Sequence, residues 1–220
     1  MLSNDRADRM KLLIADDHPL YRDALRGSLI LSFDELEILE SEDLDSTIHT
    51  IQQHHDIDLL LLDLNMPGSC DLFGLIRIRK LFADLPVAVV SGMTDSYIVN
   101  KAINAGAQGF ITKTSTAKVI ADAIDSILAG EICIPENMPA GTDDINPEFE
   151  QLSLQVSSLT PAQYKVLCQL KSGLLNKQIA YELNISEATV KAHITAIFKK
   201  LEINNRSQAV LIASQLQLTV

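Results

Sequence analysis

The chain has 220 residues, a formal net charge of −11, and 47% hydrophobic and 21% charged residues, which is the composition of an ordinary globular protein. No basic-plus-apolar leader opens the sequence and no apolar run reaches the length of a membrane span, so we expect no membrane association and a cytoplasmic location. Three widely spaced cysteines, at positions 70, 133 and 168, fit neither a metal site nor a disulfide framework and favour reduced thiols.

The charge is unevenly distributed along the chain. Residues 1–150 hold 26 acidic and 11 basic side chains, whereas residues 151–220 hold 3 acidic and 7 basic ones. An acidic first part with net charge −15 and a basic last part with net charge +4 predict two domains that bind different partners.

Apolar strand patterns and helical patterns alternate over the first 130 residues. Strands are predicted at 11–16, 36–42, 57–63, 86–92 and 109–113, and helices at 19–30, 44–55, 74–82, 95–106 and 116–130. The last helix closes at Gly130, a residue type that favours the left-handed cap of a helix. Five β-α units in series predict a doubly wound α/β fold, with a five-stranded parallel sheet, helices on both faces and right-handed connections.

The stretch IDLLLLDLNMPG, residues 57–68, combines a fully apolar strand with a carboxylate at its exit. A run as apolar as Leu59–Leu62 is typical of a strand that is covered on both faces. Asp63 follows it, and an isolated buried carboxylate is unfavourable unless it has partners. Asp63 is therefore either a cap for the following turn or helix, or part of a polar site.

Other polar residues end neighbouring strands and favour the second interpretation. Asp16 and Asp17 follow the first strand, Ser91 ends the fourth and Lys113 the fifth, and in an open parallel sheet ligands bind at this edge. Three converging carboxylates suit Mg²⁺, with Lys113 and Ser91 as partners for phosphoryl oxygens. Asp63 would then be a nucleophile that forms an aspartyl-phosphate. Taken singly, each residue also fits a plain role as a cap, a turn or a solvated strand end.

Residues 131–156 interrupt this pattern with prolines, an Asp-Asp pair and scattered polar residues, which predicts a linker. Only short helices are predicted after it. Thr160 and Gln163 form a capping box, Gly173 ends the first of these helices, and Asn176 is expected to cap the second. Asn184 tolerates the left-handed conformation of a tight turn, and Ser186 is expected to cap the third helix.

The third of these helices has an apolar face and a polar face. Helical spacing places four residues toward a core, namely Val190, Ile194, Ile197 and Leu201. A second face carries Lys191, Thr195 and Lys199, with the small residue Ala192 beside them. A short helix, a turn and a helix that exposes lysines predict a helix-turn-helix whose second helix enters the DNA major groove. A generic solvated helix face is the alternative.

Four segments of the first part resemble the receiver domain of bacterial two-component response regulators: LLIADDHPLYRDAL, LLLLDLNMPG, VVSGM and GAQGFITKT. The resemblance covers nearly all of residues 10–130 and implies a sheet with strand order 2-1-3-4-5. It implies that a histidine kinase phosphorylates Asp63, and that Mg²⁺ is held by Asp16, Asp17, Asp63 and the backbone carbonyl of Asn65. Ser91 and Phe110 would form the switch pair and Lys113 would bind the phosphoryl group. Phe110 stands where tyrosine is frequent, and a role as a plain core aromatic remains open.

Within the predicted domain 157–220, about residues 157–216 resemble the LuxR-type DNA-binding domain, through LTPAQYKVL, LLNKQIA, ISEATVKAHI and INNRSQAV. By this resemblance Lys191 and Ala192 approach bases, and the remaining DNA contacts fall on Asn176, Lys177, Thr189, Thr195 and Arg206. The final helix, residues 207–216, would be the dimerisation surface. Thr195 stands where lysine is frequent, and Glu202 where glycine is frequent.

Together the two resemblances indicate a regulator of the NarL/FixJ type that is not an enzyme and that controls transcription as a homodimer on double-stranded DNA. Two alternatives remain. A phosphohydrolase using an aspartyl-phosphate would need a second acid, but Asn65 stands two residues beyond Asp63. A receiver fold that no longer takes a phosphoryl group would leave a constitutive DNA-binding protein.

Overall fold

A computed structural model of the chain describes residues 9–69, 72–93, 95–135, 151–152, 155–156 and 158–216. Cys70 and the greater part of the predicted linker, residues 136–150 and 153–154, lie outside the described residues. Within the described ranges no helix is long and apolar enough to cross a membrane.

Five parallel strands form one sheet, in the order β2-β1-β3-β4-β5. Their bounds are β1 Met10–Ala15, β2 Leu36–Ser41, β3 Leu59–Asp63, β4 Val87–Ser91 and β5 Gly109–Thr112. The predicted doubly wound sheet and its strand order are confirmed. Because the strands are parallel, the residues that end β1, β3 and β4 all lie at one edge of the sheet.

Five helices alternate with the strands of this first domain. They are α1 Pro19–Ser32, α2 Leu44–Gln53, α3 Leu72–Leu81, α4 Ser96–Asn104 and α5 Ala117–Leu128. The side chain of Asp43 accepts a bond from Ser46 N at 2.7 Å and caps α2, while Thr116 caps α5. Gly130 has φ +88°, as its place after the last helix predicts.

The two faces of the sheet bury separate apolar layers. Alternating residues of β1 and β3 point to opposite sides of the sheet. Leu13 and Leu60 pack on the side that carries α2, α3 and α4 (the α2–α4 side), and Leu12 and Leu59 pack on the side that carries α1 and α5. All ten residues of β3 and β4 are buried. Burial on both faces explains why these strands carry unbroken apolar runs.

The chain that follows α5 runs back along the edge of β5 that is not paired with β4. Cys133 donates its N–H to Gln108 O at 3.0 Å and accepts one from Phe110 N at 2.8 Å, which forms a parallel bridge beside Gly109. The first residues of the predicted linker are thus bonded to the backbone of β5. Cys133 is half-buried with a free thiol, and Cys168 is buried in the second domain.

Within residues 158–216 the second domain has four helices, α6 Pro161–Lys171, α7 Asn176–Glu182, α8 Glu187–Lys200 and α9 Arg206–Gln215. The capping box of Thr160 and Gln163 and the cap by Ser186 are confirmed. The prediction that Asn176 caps α7 is wrong. Leu175 occupies the cap position and Gln178 bonds back to its N–H at 2.8 Å, because the glutamine amide three residues later supplies the acceptor.

Three left-handed turns separate the helices of this domain. Gly173 has φ +79°, Asn184 has φ 51° and Glu202 has φ 56°. Asparagine tolerates this conformation, whereas for glutamate it is unfavourable by about 1 kcal/mol. The backbone geometry at Glu202 explains why a glycine is frequent at this point of LuxR-type sequences.

The two domains meet at an aromatic pair. Phe73 in the first turn of α3 stacks on Tyr164 of α6 with ring centroids 4.1 Å apart and an interplanar angle of 27°. Both side chains are buried, at 0% and 1% exposure. Nearby, Lys101 Nζ of α4 donates to the carbonyl oxygen of Gln215 at 2.8 Å.

We predict that Phe73 and Tyr164 are energetically coupled. In a double-mutant cycle of Phe73→Leu and Tyr164→Leu, the unfolding free energies should deviate from additivity by about 0.5–1.5 kcal/mol, because stacked rings contribute beyond their buried area. Urea denaturation of the four proteins measures this quantity. The control pairs Tyr164→Leu with Phe33→Leu on the opposite face of the sheet, where additivity is expected. Additivity for both pairs would contradict the domain contact.

Candidate functional site

The acidic residues at the exits of β1 and β3 converge as predicted. One ligand atom from each of Asp16, Asp17, His18 and Asp63 lies within 4.8 Å of the others. Asp16 and Asp63 are each 1% exposed, while Asp17 is half-buried. Carboxylates this close, two of them buried, need positive charge among them.

Lys113 supplies part of that charge. Its Nζ lies 2.7 Å from Asp16 Oδ2 and 3.0 Å from Asp63 Oδ2, and the lysine side chain is 19% exposed. Thr112 ends β5, so Lys113 follows that strand directly and its ammonium reaches across to the acidic pair at the ends of β1 and β3. Sequence placed Lys113 at this edge, and the structure brings it into contact with two of the three carboxylates.

Burial and charge change the proton affinities of these groups. Burial raises the pKa of Asp63 above its usual value, and the neighbouring Asp16 adds to this, although the bond from Lys113 acts in the opposite direction. Burial alone would lower the pKa of Lys113, but its bonds to Asp16 and Asp63 outweigh burial and raise the pKa. The lysine therefore does not cancel the rise in the pKa of Asp63 that burial causes.

The donor set fits a hard divalent cation. Three carboxylates are gathered at one point, and Mg²⁺ binds oxygen ligands of this kind while retaining several waters. Asn65 is exposed and follows Asp63 by two residues, and its backbone N–H donates to Asp63 Oδ1 at 3.3 Å. Asp16, Asp17 and Asp63 could thus hold a metal ion together.

The two residues of the predicted switch pair are both buried. Ser91 is 0% exposed, and its Oγ accepts the N–H of Met93 at 3.1 Å. Phe110 is 1% exposed and belongs to the apolar layer on the α2–α4 side of the sheet. Ser91 thus ends β4 at the same edge of the sheet as Asp63, and Phe110 lies among core residues.

Two residues at the site were not singled out from the sequence. His18 occupies the N-cap position of α1 without a capping bond from its side chain, and its Nδ1 lies 2.6 Å from Asp17 Oδ1 and 3.1 Å from Asp16 Oδ1. Tyr21 lies in the first turn of α1, with the Lys113 ammonium 5.0 Å from its ring centroid. Helical side chains point back toward the helix N-terminus, so the position of Tyr21 just after the acidic pair was a usable signal.

The predicted DNA-facing residues of α8 form an open surface. Thr189, Lys191, Ala192 and Thr195 are all exposed, while Val190 and Ile197 on the other face are buried. Lys177 of α7 is exposed as well. The division of α8 into a buried and an exposed face is confirmed.

Arg206 and Asn176 are placed differently from these exposed residues. The Arg206 guanidinium donates to the carbonyl oxygen of Leu174, and its Nη1 donates to Asn176 Oδ1 at 3.3 Å. Both residues are half-buried. In this structure the pair joins the start of α7 to the start of α9.

Two known protein families match separate parts of the chain. The family of response regulator receiver domains matches residues 12–125, and the luxR family of bacterial regulatory proteins matches residues 157–213.

Relatives match over almost their full length. The chain is 42% identical to the glycerol metabolism activator of Pseudomonas putida, covering 95% of this chain and 97% of that protein. It is 34% identical to the nitrate/nitrite response regulator NarP of Escherichia coli K12, covering 95% and 96%. Among solved structures, the chain is similar to RcsB of Salmonella enterica serovar Typhimurium, bound to a promoter in the presence of phosphomimetic BeF₃⁻. The TM-score is 0.56 and the sequence identity 25%, and the match covers 95% of this chain and 100% of RcsB.

Proposed function

This chain belongs to the bacterial response regulators that join a receiver domain to a LuxR-family DNA-binding domain, and on that basis we propose that Asp63 is its phosphoacceptor. Members of this family are transcriptional regulators and not enzymes, so the phosphohydrolase alternative is set aside. We further propose that a sensor histidine kinase is the phosphodonor and that the protein acts in the cytoplasm.

The observation that carries this proposal is the Lys113 ammonium, which lies within 3.0 Å of both Asp16 and Asp63. A lysine held at this point provides a compact charge for a phosphoryl oxygen when the group is transferred. Asp63 is the carboxylate that combines deep burial with direct contact to this lysine and a place at the end of the central strand.

The transfer step follows from these positions. An Asp63 carboxylate oxygen attacks phosphorus, the P–N bond to the kinase imidazole breaks, and the imidazole nitrogen recovers an electron pair. Lys113 remains ion-paired with Asp16 and turns its other N–H groups to the phosphoryl oxygens. The water-excluding walls around Asp63 strengthen these contacts.

Mg²⁺ would be held by Asp16, Asp17, Asp63 and the backbone carbonyl of Asn65, and it would neutralise charge on the transferring phosphoryl group. His18 would orient the first two carboxylates, since its imidazole contacts both of them. Asp17 is half-buried, which leaves that side of the site open to water ligands.

The switch we propose uses Ser91 and Phe110. When Asp63 carries a phosphoryl group, the Ser91 hydroxyl gives up the Met93 N–H and donates to a phosphoryl oxygen. Phe110 then occupies the space that Ser91 leaves. The backbone N–H of Phe110 is bonded to Cys133, so displacement of this residue reaches the start of the linker directly.

DNA binding is assigned to the exposed face of α8. Lys191 and Ala192 would approach base edges, while phosphate contacts would come from Asn176, Lys177, Thr189, Thr195 and Arg206. The net charge of +4 over residues 151–220 is small, which favours pairing of two chains on two half-sites. The final helix α9 is the proposed dimer surface, and Leu211 in it is 58% exposed.

The proposal predicts a stoichiometric modification that changes assembly. Incubation with acetyl phosphate and Mg²⁺ should add one phosphoryl group per chain, detected by intact mass. Beryllofluoride with Mg²⁺ should increase self-association and DNA affinity, measured by light scattering and fluorescence anisotropy at a fixed salt concentration. Turnover of many phosphoesters per chain, or an unmodified chain with unchanged DNA affinity, would contradict it.

A further inference from the structure

Tyr21 is an unassigned residue of α1 that borders the acidic site. The ammonium of Lys113 lies 5.0 Å from the centroid of its ring, within the range of a cation–π contact. The same ammonium binds Asp16 and Asp63, so the tyrosine ring and the two carboxylates share one cation. This contact fixes the ring beside the point where the phosphoryl group would be received.

The hydroxyl of Tyr21 is buried, although the residue as a whole is only half-buried, so the polar end of the side chain points inward. No hydrogen-bond partner for it exists among the described residues. An unsatisfied buried hydroxyl is unfavourable, so a free donor here calls for a physical reason.

The surroundings of this hydroxyl keep it protonated. Burial, with a smaller contribution from the carboxylates of Asp16 and Asp63, raises the pKa of Tyr21 to about 12. At neutral pH the group is therefore a neutral O–H donor, close enough to the carboxylates of Asp16 and Asp63 to be influenced by their charge.

We propose that the Tyr21 hydroxyl donates a hydrogen bond to the phosphoryl group carried by Asp63, with the tyrosine ring held in place by Lys113. This inference rests on the proposed function of Asp63. A phosphoryl group brings strong acceptor oxygens into the pocket and gives the hydroxyl the partner that it lacks beforehand. Tyr21 thereby lowers the stability of the unmodified receiver and raises that of the modified one.

A Tyr21→Phe variant keeps the ring and removes only the hydroxyl. We expect opposite effects of this change on the chain without a phosphoryl analogue and on the chain that binds one. Without a phosphoryl analogue, the variant should unfold at the same temperature as the wild type or at a higher one, because an unsatisfied polar group is gone. With Mg²⁺ and beryllofluoride, its affinity for the analogue should fall about tenfold, since a bond to a charged acceptor is lost. If the hydroxyl had a purely structural role, its removal would lower both the unfolding temperature and the affinity for beryllofluoride.

Differential scanning fluorimetry measures the melting temperature of the full chain. A titration followed by NMR measures its affinity for beryllofluoride. Tyr181→Phe is the matched control, because Tyr181 is 85% exposed and lies in the DNA-binding domain, and it should change neither quantity. Tyr21→Leu, which also removes the ring, should lose at least as much affinity as Tyr21→Phe.

Tyr21→Phe binding beryllofluoride as tightly as the wild type would overturn the inference. A lower melting temperature for unliganded Tyr21→Phe would also overturn it, because the hydroxyl would then already have a partner. If the wild-type chain itself takes up no beryllofluoride, the proposed role of Asp63 fails instead, and the two failures are distinguishable.

Discussion

Replacing Asp63 by asparagine should abolish phosphoryl uptake while making the metal-free protein more stable. An amide has no carboxylate oxygen that can attack phosphorus, so intact mass after acetyl phosphate treatment should show no added group. The same change removes one of three crowded carboxylates from a buried position. The introduced amide retains a carbonyl oxygen that can accept from Lys113, so the lysine keeps an acceptor at this position.

The stability effect should depend on pH in a defined direction. Because burial raises the pKa of Asp63 in the folded chain, this group contributes stability below its unfolded value of 3.8, and that contribution is lost as pH rises through the folded value. At neutral pH in a chelator, Asp63→Asn should therefore be more stable than the wild type. The difference should shrink as pH falls through the raised pKa of folded Asp63, where the wild-type carboxyl takes up its proton.

Saturating Mg²⁺ should reverse this order. An ion at about a hundredfold excess over its dissociation constant stabilises the folded chain by about 2.7 kcal/mol, and the variant lacks one of the three carboxylate ligands. Thermal unfolding of both proteins with chelator and with Mg²⁺ provides the measurement. Asp125→Asn, an exposed carboxylate of α5, is the control and should respond to neither condition. An identical order of stability in chelator and in Mg²⁺ would contradict the metal site.

The second large effect concerns Lys191 on the exposed face of α8. If two chains bind two half-sites, Lys191→Ala removes two base contacts, each contributing about 1–3 kcal/mol of discrimination. Affinity for a specific duplex should therefore fall by a factor of about 30 or more. The duplex is selected from a random-sequence pool with the beryllofluoride-loaded wild type, and anisotropy measures its dissociation constant.

The contrast with other lysines identifies the kind of contact. Lys177→Ala should weaken specific and nonspecific duplexes alike and reduce the salt slope by about one per chain, because a phosphate contact carries no sequence information. Lys165 is exposed on α6 of the same domain, so Lys165→Ala makes the same charge change away from α8. An unchanged ratio of specific to nonspecific affinity in Lys191→Ala would assign that lysine to the backbone rather than to bases.

The fold was predictable because its sequence signals are local and repeated. Unbroken apolar runs such as Leu59–Leu62 indicate strands buried on both faces, and their alternation with helices leaves few topologies. The acidic site was predictable for the same reason, since Asp63 and Lys113 lie at the ends of strands of one parallel sheet. Position at a strand end is a local property, and the sheet then brings the ends together.

Features that depend on contacts between distant segments were not predictable in this way. Asn176 was expected to cap α7 from its residue type alone, but it is the first residue of that helix and its side chain accepts a hydrogen bond from Arg206, thirty residues later. The bond of Cys133 to the β5 backbone involves no side-chain pattern. The stack of Phe73 on Tyr164 joins two domains whose separate sequence patterns carry no information about each other.

That aromatic stack has a consequence for regulation, because its two partners belong to one covalent chain. A tethered partner is present at an effective concentration of the order of millimolar, so even a contact too weak to hold separate domains together is populated in the intact protein. Phe73 follows Asp63 by ten residues, so we expect that a phosphoryl group on Asp63 would need to weaken this contact only slightly to separate the two domains. We therefore expect that separately produced domains show no association at micromolar concentration, although the same contact forms in the full chain.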